Sequence, residues 1–360
     1  MSTAAVRPAA RPTDHPTARP ADHPADHAGA PVPLVLTRSE LTGLVSPREV
    51  VDLVEQTFAD LADGVAAQAP LTAAALDPAA HFLPMTAVSG RAGLAGSKLL
   101  ADVPGNRDRG LPAQRSVLVL VDASTGAPAA VLDGAVPTRL RTAAASAVAT
   151  RWLAREDARV LGLVGAGALA LEHVRALVEV RPLERVLVWS RTTERVATFA
   201  AQVAEHLPDL AVEAVGSPEA AVRTADVVCT LTPARDPLVQ GAWFAPGLHV
   251  NVVGAPPRPD HREVDGAAMA RSRVVVDSVG TALHESGDAL LAIAEGAIDA
   301  DACRLELGDV VTGRATGRRA PDEITLFDSV GLGVLDVALG AVLLERARAA
   351  GRGVAVDLAA

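Results

Sequence analysis

Lysine is almost missing from this chain of 360 residues. Of its 33 basic side chains, Lys98 alone is a lysine and the other 32 are arginines. A composition this biased writes Arg wherever a plain surface cation will do, so the surviving lysine is expected where Arg cannot substitute. Arg is always charged and presents a wide planar fork; Lys is compact and gives up its proton when burial lowers its pKa. The flanks Gly96-Ser97-Lys98-Leu99-Leu100 read as a partly buried strand. They weigh towards chemistry and against an accidental surface position.

Aromatic residues are scarce too. There is no Tyr, with five Phe and three Trp, so the 49% apolar fraction must build its core from Ala, Val and Leu. The two cysteines, Cys229 and Cys303, belong to no CxxC pair or metal-ligand spacing, which argues against a disulfide framework and against a zinc site. Cys229, in the run Asp226-Val227-Val228-Cys229-Thr230, reads as a small buried hydrophobe. No apolar stretch reaches the length of a membrane span, and the first residues lack the pattern of a signal peptide. A cytoplasmic protein without membrane association is expected. Positive charge is in deficit, with a net charge of -10, so nucleic acid is not an expected partner either.

Residues 1–30 are Pro, Ala, Asp, His, Thr and Arg, with Asp-His recurring three times. They read as a disordered tail. Helix starts are expected at Thr37-Arg38-Ser39-Glu40 and at Ser46-Pro47-Arg48-Glu49, where a capping Ser is followed by Pro and then Glu. Short strands follow at 82–86, 94–100, 116–122 and 129–133, and the turn Ser124-Thr125-Gly126 joins the last two. An Ala-rich helix covers 138–154. From Arg159 the pattern becomes strand, helix, strand, helix, with buried strands at 160–164, 185–189, 210–215, 225–231, 249–253 and 273–277. This alternation predicts a doubly wound parallel sheet of the α/β class. A long helix closes the chain at 333–350.

Gly165-Ala166-Gly167-Ala168-Leu169-Ala170 lies between a predicted strand and helix. Gly165 permits the tight turn, Gly167 lets the backbone approach a pyrophosphate, and Ala170 replaces the third glycine. In this context the motif predicts dinucleotide binding. The second strand ends in Trp189-Ser190-Arg191-Thr192, with no acid for a ribose 2′-hydroxyl. An Arg between two hydroxyls suits a 2′-phosphate, so NADP(H) is favoured and NAD(H) is retained. A solvated loop cation is the other reading of Arg191. In Arg139-Leu140-Arg141-Thr142 an Arg near a helix N-terminus opposes the dipole, which suggests a task such as clamping a carboxylate; a surface ion pair is the alternative. Glu285-Ser286-Gly287-Asp288 and Leu326-Phe327-Asp328-Ser329-Val330-Gly331 read as loops near the carboxyl edge of the sheet. His249 reads as a satisfied core residue.

Together these features resemble the ornithine cyclodeaminase/mu-crystallin family from about residue 34 onward. The resemblance rests on Gly96-Ser97-Lys98, Pro104-Gly105-Asn106, Leu132-Asp133-Gly134, Arg141 through Ser146, the Gly165 loop, Thr230 through Pro237, Val253-Gly254-Ala255 and Thr325-Leu326-Phe327. It implies a Rossmann domain (154–324) inserted in an α+β substrate and dimerisation domain (31–153 plus 325–360), and a homodimer. Carried over residue by residue, Lys98 and Arg141 hold the carboxylate of a small imino or amino acid near the nicotinamide. Lys98 also polarises or protonates the reacting centre. The cofactor is expected to meet Gly165, Ala166, Gly167, Ala168, Leu169, Ser190, Arg191, Thr192, Thr230, Leu231, Thr232, Gly254 and Ser329.

Two departures bear on the reaction. The cyclodeaminases carry an Asp two residues after the glycine matching Gly254, where this chain has Pro256. The mu-crystallin branch, whose ketimine reductase binds NADPH through a segment resembling Ser190-Arg191-Thr192, also lacks that Asp. A further carboxylate-binding Arg of the family is absent too, and Thr72 falls about where it would be. The expectation is therefore an oxidoreductase at a C–N bond next to a carboxylate. Three alternatives stand: an oxidative dehydrogenase of the diaminopropionate-forming type, which Gly331-Leu332-Gly333-Val334-Leu335-Asp336 resembles; a non-catalytic NADPH-binding protein; and an ornithine cyclodeaminase.

Overall fold

The structure, a computed structural model, describes residues 32–77 and 80–358. The tail expected at 1–30 lies outside the described residues. The strands are β1 (Leu34–Leu36), β2 (Ala66–Gln68), β3 (Ala74–Asp77), β4 (Ala80–Ser89), β5 (Leu94–Asp102), β6 (Gln114–Asp122), β7 (Pro128–Asp133), β8 (Val160–Val164), β9 (Arg185–Trp189), β10 (Ala211–Ala214), β11 (Val227–Thr230), β12 (His249–Val252), β13 (Arg273–Val276), β14 (Thr325–Asp328) and β15 (Val354–Ala355). They form two sheets. One has the order β15-β1-β7-β6-β5-β4-β2, with β3 also on β4; the other runs β10-β9-β8-β11-β12-β14-β13.

The first sheet is built around the antiparallel run β4-β5-β6-β7. Its strands alternate cleanly. On β4, Leu83, Met85 and Ala87 point inward, while Phe82 and Val88 face out. On β5 and β6 the inward set includes Lys98, Leu118 and Leu120, and Leu99, Val117 and Val119 face out. A period of two puts every second residue on the covered face. That face is covered by the C-terminal helix, Gly333–Ala349, which packs on β4, β5 and β6. Glycines make the close approach possible: a Cβ on Gly333 would lie 2.8 Å from the Met85 carbonyl oxygen, and one on Gly340 would lie 2.7 Å from Leu118 Cδ2.

Every pairing in the second sheet is parallel. Its inner strands β11, β12 and β14 are buried at every residue, as in a parallel sheet covered on both faces. Strand order reverses between β8 and β11, and the crevice outside the carboxyl ends of the strands at such a point is where ligands bind in open α/β sheets. The expected α/β fold, with a doubly wound Rossmann sheet beside an α+β unit, is the one observed.

Three details differ from the sequence reading. Leu326-Phe327-Asp328, read as a loop, is most of β14, a central strand between β12 and β13. The chain therefore leaves the second sheet after Asp328, and not at the expected boundary of 325. The Ala-rich helix begins at Ala135, three residues early, so Arg141 sits in its second turn. There the dipole has largely faded, and another cause must hold Arg141 in place. By contrast, Ser46 caps the helix Pro47–Ala62 as its motif requires: its hydroxyl accepts from Glu49 N, and the Glu49 carboxylate accepts from Ser46 N.

Candidate active site

Lys98 comes from the inner face of β5 and is fully buried. Its Nζ donates to Asp336 Oδ2 at 2.7 Å. The other oxygen, Oδ1, accepts from Arg141 Nε at 3.4 Å. Asp336, also fully buried, lies in the first turn of the C-terminal helix, so three distant segments meet in one charge cluster. This contact ties the Arg141 side chain to the C-terminal helix. The pKa of Lys98 falls to about 8: burial is the larger cause and the neighbouring Arg141 adds to it, while Asp336 opposes both. The sequence reading named Lys98 and Arg141 and missed Asp336 as a site residue. An acid in the first turn of an otherwise apolar helix was the signal available.

Arg141 donates only through Nε among the described residues. Its outer edge lies against Gly331: a Cβ there would stand 2.8 Å from Nη1 and 3.0 Å from Nη2. Gly331 also has φ of 101°, which L side chains rarely adopt. Replacing Gly331 by Ala is expected to displace the guanidinium and weaken the apparent affinity for a carboxylate substrate about 10-fold or more. Dinucleotide affinity, measured in parallel, should be unchanged; an unaltered KM for the carboxylate substrate would refute this role.

Behind Gly331 stands Asp277, just past the end of β13. Its Oδ2 accepts from Gly331 N at 2.7 Å and from Ser329 Oγ at 2.9 Å. Burial raises its carboxyl to about 6, against the pull of these donors and Arg141. Ser329 is thus tied to the Arg141 side of the site.

The glycine-rich loop occupies the carboxyl end of β8. Gly165 has φ of 117°, and a Cβ on it would lie 2.9 Å from the Leu231 carbonyl oxygen. No atom stands within 4 Å of the Cβ position on Gly167, so its backbone is open to a bulky anion. Ala166 is buried, Ala168 is exposed and Leu169 half-buried, and the helix Ala170–Leu177 begins directly after them. Arg191 and Thr192 are exposed past the end of β9, beside half-buried Ser190. These residues fit a dinucleotide: an open glycine backbone leads into a helix N-terminus.

Beyond β11 and β12 the sequence missed an organiser. Glu263 is fully buried and accepts from Thr230 Oγ, Thr232 Oγ, Thr232 N and Gly254 N at 2.6–2.7 Å. Burial raises its pKa, and these donors oppose that rise. The Thr230 hydroxyl therefore points into the fold, and Leu231 is buried beside it. Gly254 has no alternative here, since a Cβ would lie 2.1 Å from Thr232 N. The Glu285–Asp288 segment is also structural: Ser286 caps the helix Gly287–Ala294, and the Asp288 carboxylate accepts from Glu263 N and Val264 N. Arg258, in the loop that carries Pro256, donates from Nε to Asp102 Oδ2 at 2.7 Å and pins that loop to the end of β5. Thr72 is exposed between β2 and β3.

Most of the expected cofactor positions thus lie along the carboxyl edge of the parallel sheet, and Lys98 and Arg141 approach it from the first sheet and its helices. His249 is a satisfied core residue, hydrogen-bonded to Thr325 and Asn251.

The profile of the ornithine cyclodeaminase/mu-crystallin family matches residues 32–351. The chain belongs to this family. Alanine dehydrogenase of Archaeoglobus fulgidus is 32% identical over 320 residues, covering 87% of this chain and 95% of the relative. Among solved structures, the Δ1-pyrroline-2-carboxylate reductase of Thermococcus litoralis, in complex with NADH and L-proline, matches with a TM-score of 0.86 and 35% identity over 90% of this chain and all of that one. An archaeal alanine dehydrogenase dimer with bound NAD matches with a TM-score of 0.85 and 31% identity over 91% of this chain and 99% of that one.

Proposed function

We propose that this protein is an NAD(P)-dependent oxidoreductase that interconverts an imine and an amine next to a carboxylate. The observation that carries the reading is the buried Lys98–Asp336–Arg141 cluster, with Asp277, Gly331 and Ser329 linking it to the carboxyl edge of a Rossmann sheet. The relatives described above act on substrates of this class, and all three are dehydrogenases or reductases. Their solved structures hold NADH or NAD.

Bound on the Gly165 loop, the dinucleotide supplies or accepts a hydride. The chain's own residues do the rest. Arg141 offers Nη1 and Nη2, neither engaged among the described residues, as a two-pronged donor to the substrate carboxylate. Lys98 stands beside it with a proton to give. In the reductive direction the protonated ammonium polarises the imine and donates to the nitrogen. In the oxidative direction the neutral amine takes that proton back. Activity in reduction should therefore fall as pH rises through about 8, and activity in oxidation should rise over the same range. Pro256, standing where the cyclodeaminases have an Asp, favours this reaction over cyclisation of ornithine.

NADP(H) is the proposed cofactor, since exposed Arg191 replaces the acid that would hold a ribose 2′-hydroxyl. The test is oxidation of NADPH and of NADH against cyclic and N-alkyl imino acids. Arg191→Ala should lower kcat/KM for NADPH about 10- to 100-fold and leave that for NADH unchanged. Equal use of both cofactors by the unaltered protein would overturn the preference, and no turnover with either would overturn the reading itself.

A homodimer is proposed through the outward face of the first sheet. Phe82, Val88, Leu99, Val117 and Val119 are each at least 36% exposed on it, an apolar face that a monomer would leave in water. Mass measurement in solution decides this directly.

A further inference from the structure

We propose that Asp336 is a positioning residue of this site: its carboxylate is the fixed counter-ion that joins Lys98 to Arg141 and aims the outer edge of the guanidinium past Gly331. The inference rests on the functional reading above and adds to it a residue with no contact to substrate or cofactor assigned. Both oxygens are committed, Oδ2 to Lys98 Nζ at 2.7 Å and Oδ1 to Arg141 Nε at 3.4 Å. One carboxylate shared between two cations leaves the cluster with a net positive charge, suited to a second, incoming carboxylate. Asp336 thus satisfies the inner side of both cations and leaves Nη1 and Nη2 of Arg141 free for that partner.

Asp336 also governs the proton on Lys98. The charged groups facing Lys98 are Asp336 from the C-terminal helix and Arg141 from the helix Ala135–Leu153. Asp277, beyond the end of β13, lies near enough to Arg141 for the guanidinium to favour its ionised form. The strand neighbours of Lys98 across β4 and β6 are Met85 and Leu118, both apolar. Burial and Arg141 each disfavour the ammonium, and Asp336 is the one group that favours it. Without the Asp336 charge, Lys98 holds its proton less tightly and donates it over a narrower, more acidic range.

Because Lys98 is the single lysine of the chain, growth on lysine carrying 13C at Cε labels one side chain. Its resonance should titrate with a midpoint of about 8 in the unaltered protein. In Asp336→Asn, which keeps the shape and loses the charge, the midpoint should fall by about 1–3 pH units. The alkaline limb of kcat/KM for imine reduction should move down by the same amount, so that activity is best recovered at low pH. Asp336→Glu should restore the midpoint and, if Asp336→Asn fails to fold, serves as the second variant: its midpoint stays near the unaltered value while KM for the carboxylate substrate rises, because a longer side chain re-aims Arg141. An unmoved midpoint in Asp336→Asn, with only a lower Tm, would show a structural role and overturn the proposal, as would an unaltered KM in Asp336→Glu. The resonance is read without turnover. An inactive protein whose midpoint still moves in Asp336→Asn would therefore count against the functional reading and not against the role of Asp336.

Discussion

Lys98→Arg should lose turnover by about 100- to 10,000-fold, the usual contribution of a positioned acid–base group. The substitution keeps a positive charge, so a loss of this size isolates what only lysine supplies. Two physical reasons act together. Lys98 is fully buried, with Nζ 2.7 Å from Asp336, and the planar guanidinium needs more room than the ammonium occupies. Arg also holds its proton at any accessible pH, whereas Lys98, with its pKa lowered to about 8, can both give and take one. Lys98→Met separates chemistry from folding. It leaves Asp336 paired with Arg141, although losing one member of a buried ion pair commonly costs about 3–5 kcal/mol. Single-turnover rates with saturating NADPH and an imino acid, alongside Tm, check both variants. Full activity in Lys98→Arg would remove Lys98 from the mechanism.

Gly165→Ala should weaken dinucleotide binding about 10- to 100-fold, as a strain of about 1–3 kcal/mol at the loop would produce. The residue has φ of 117°, and a Cβ would lie 2.9 Å from the Leu231 carbonyl oxygen, just past the end of β11. The loop must shift away from β11, and the backbone amides that would face a pyrophosphate shift with it. Gly167 makes a contrasting control, because the space around its Cβ position is open in the absence of ligand. Gly167→Ala should leave Tm of the unliganded protein unchanged and reduce affinity only through the approach of the phosphates. Fluorescence titration with NADPH and with NADH reads the affinities. An unchanged affinity in Gly165→Ala would mean that the phosphates rest elsewhere.

Much of this was legible in the chain itself, because it depends on short-range rules. The strand–glycine–helix spacing around Gly165 is set by residues close in sequence, and the structure has that strand, turn and helix in place. The Ser46 and Glu49 capping pair starts its helix by hydrogen bonds spanning three residues. The alternation on β4 to β6 sets which residues face inward, and it put Lys98 on the covered face. Composition also singled out Lys98 before any fold was known. Local reasoning raised a carboxylate clamp in Arg139-Leu140-Arg141 from a helix end where Arg141 does not lie, and family resemblance assigned that role to Arg141.

What the sequence by itself determined is therefore the order of the elements, the glycine-rich turn between β8 and its helix, and the identity of the odd lysine. Tertiary structure alone decided the partners. Asp336 meets Lys98 from 238 residues away and Arg141 from 195 away. Glu263 gathers the ends of β11 and β12, and Asp277 takes Ser329 and Gly331. Each is an acid in an apolar setting whose charge is tolerable only beside its donors. Local propensity carries no record of which distant donor that will be, since the pairing is fixed by how two sheets and a returning helix pack.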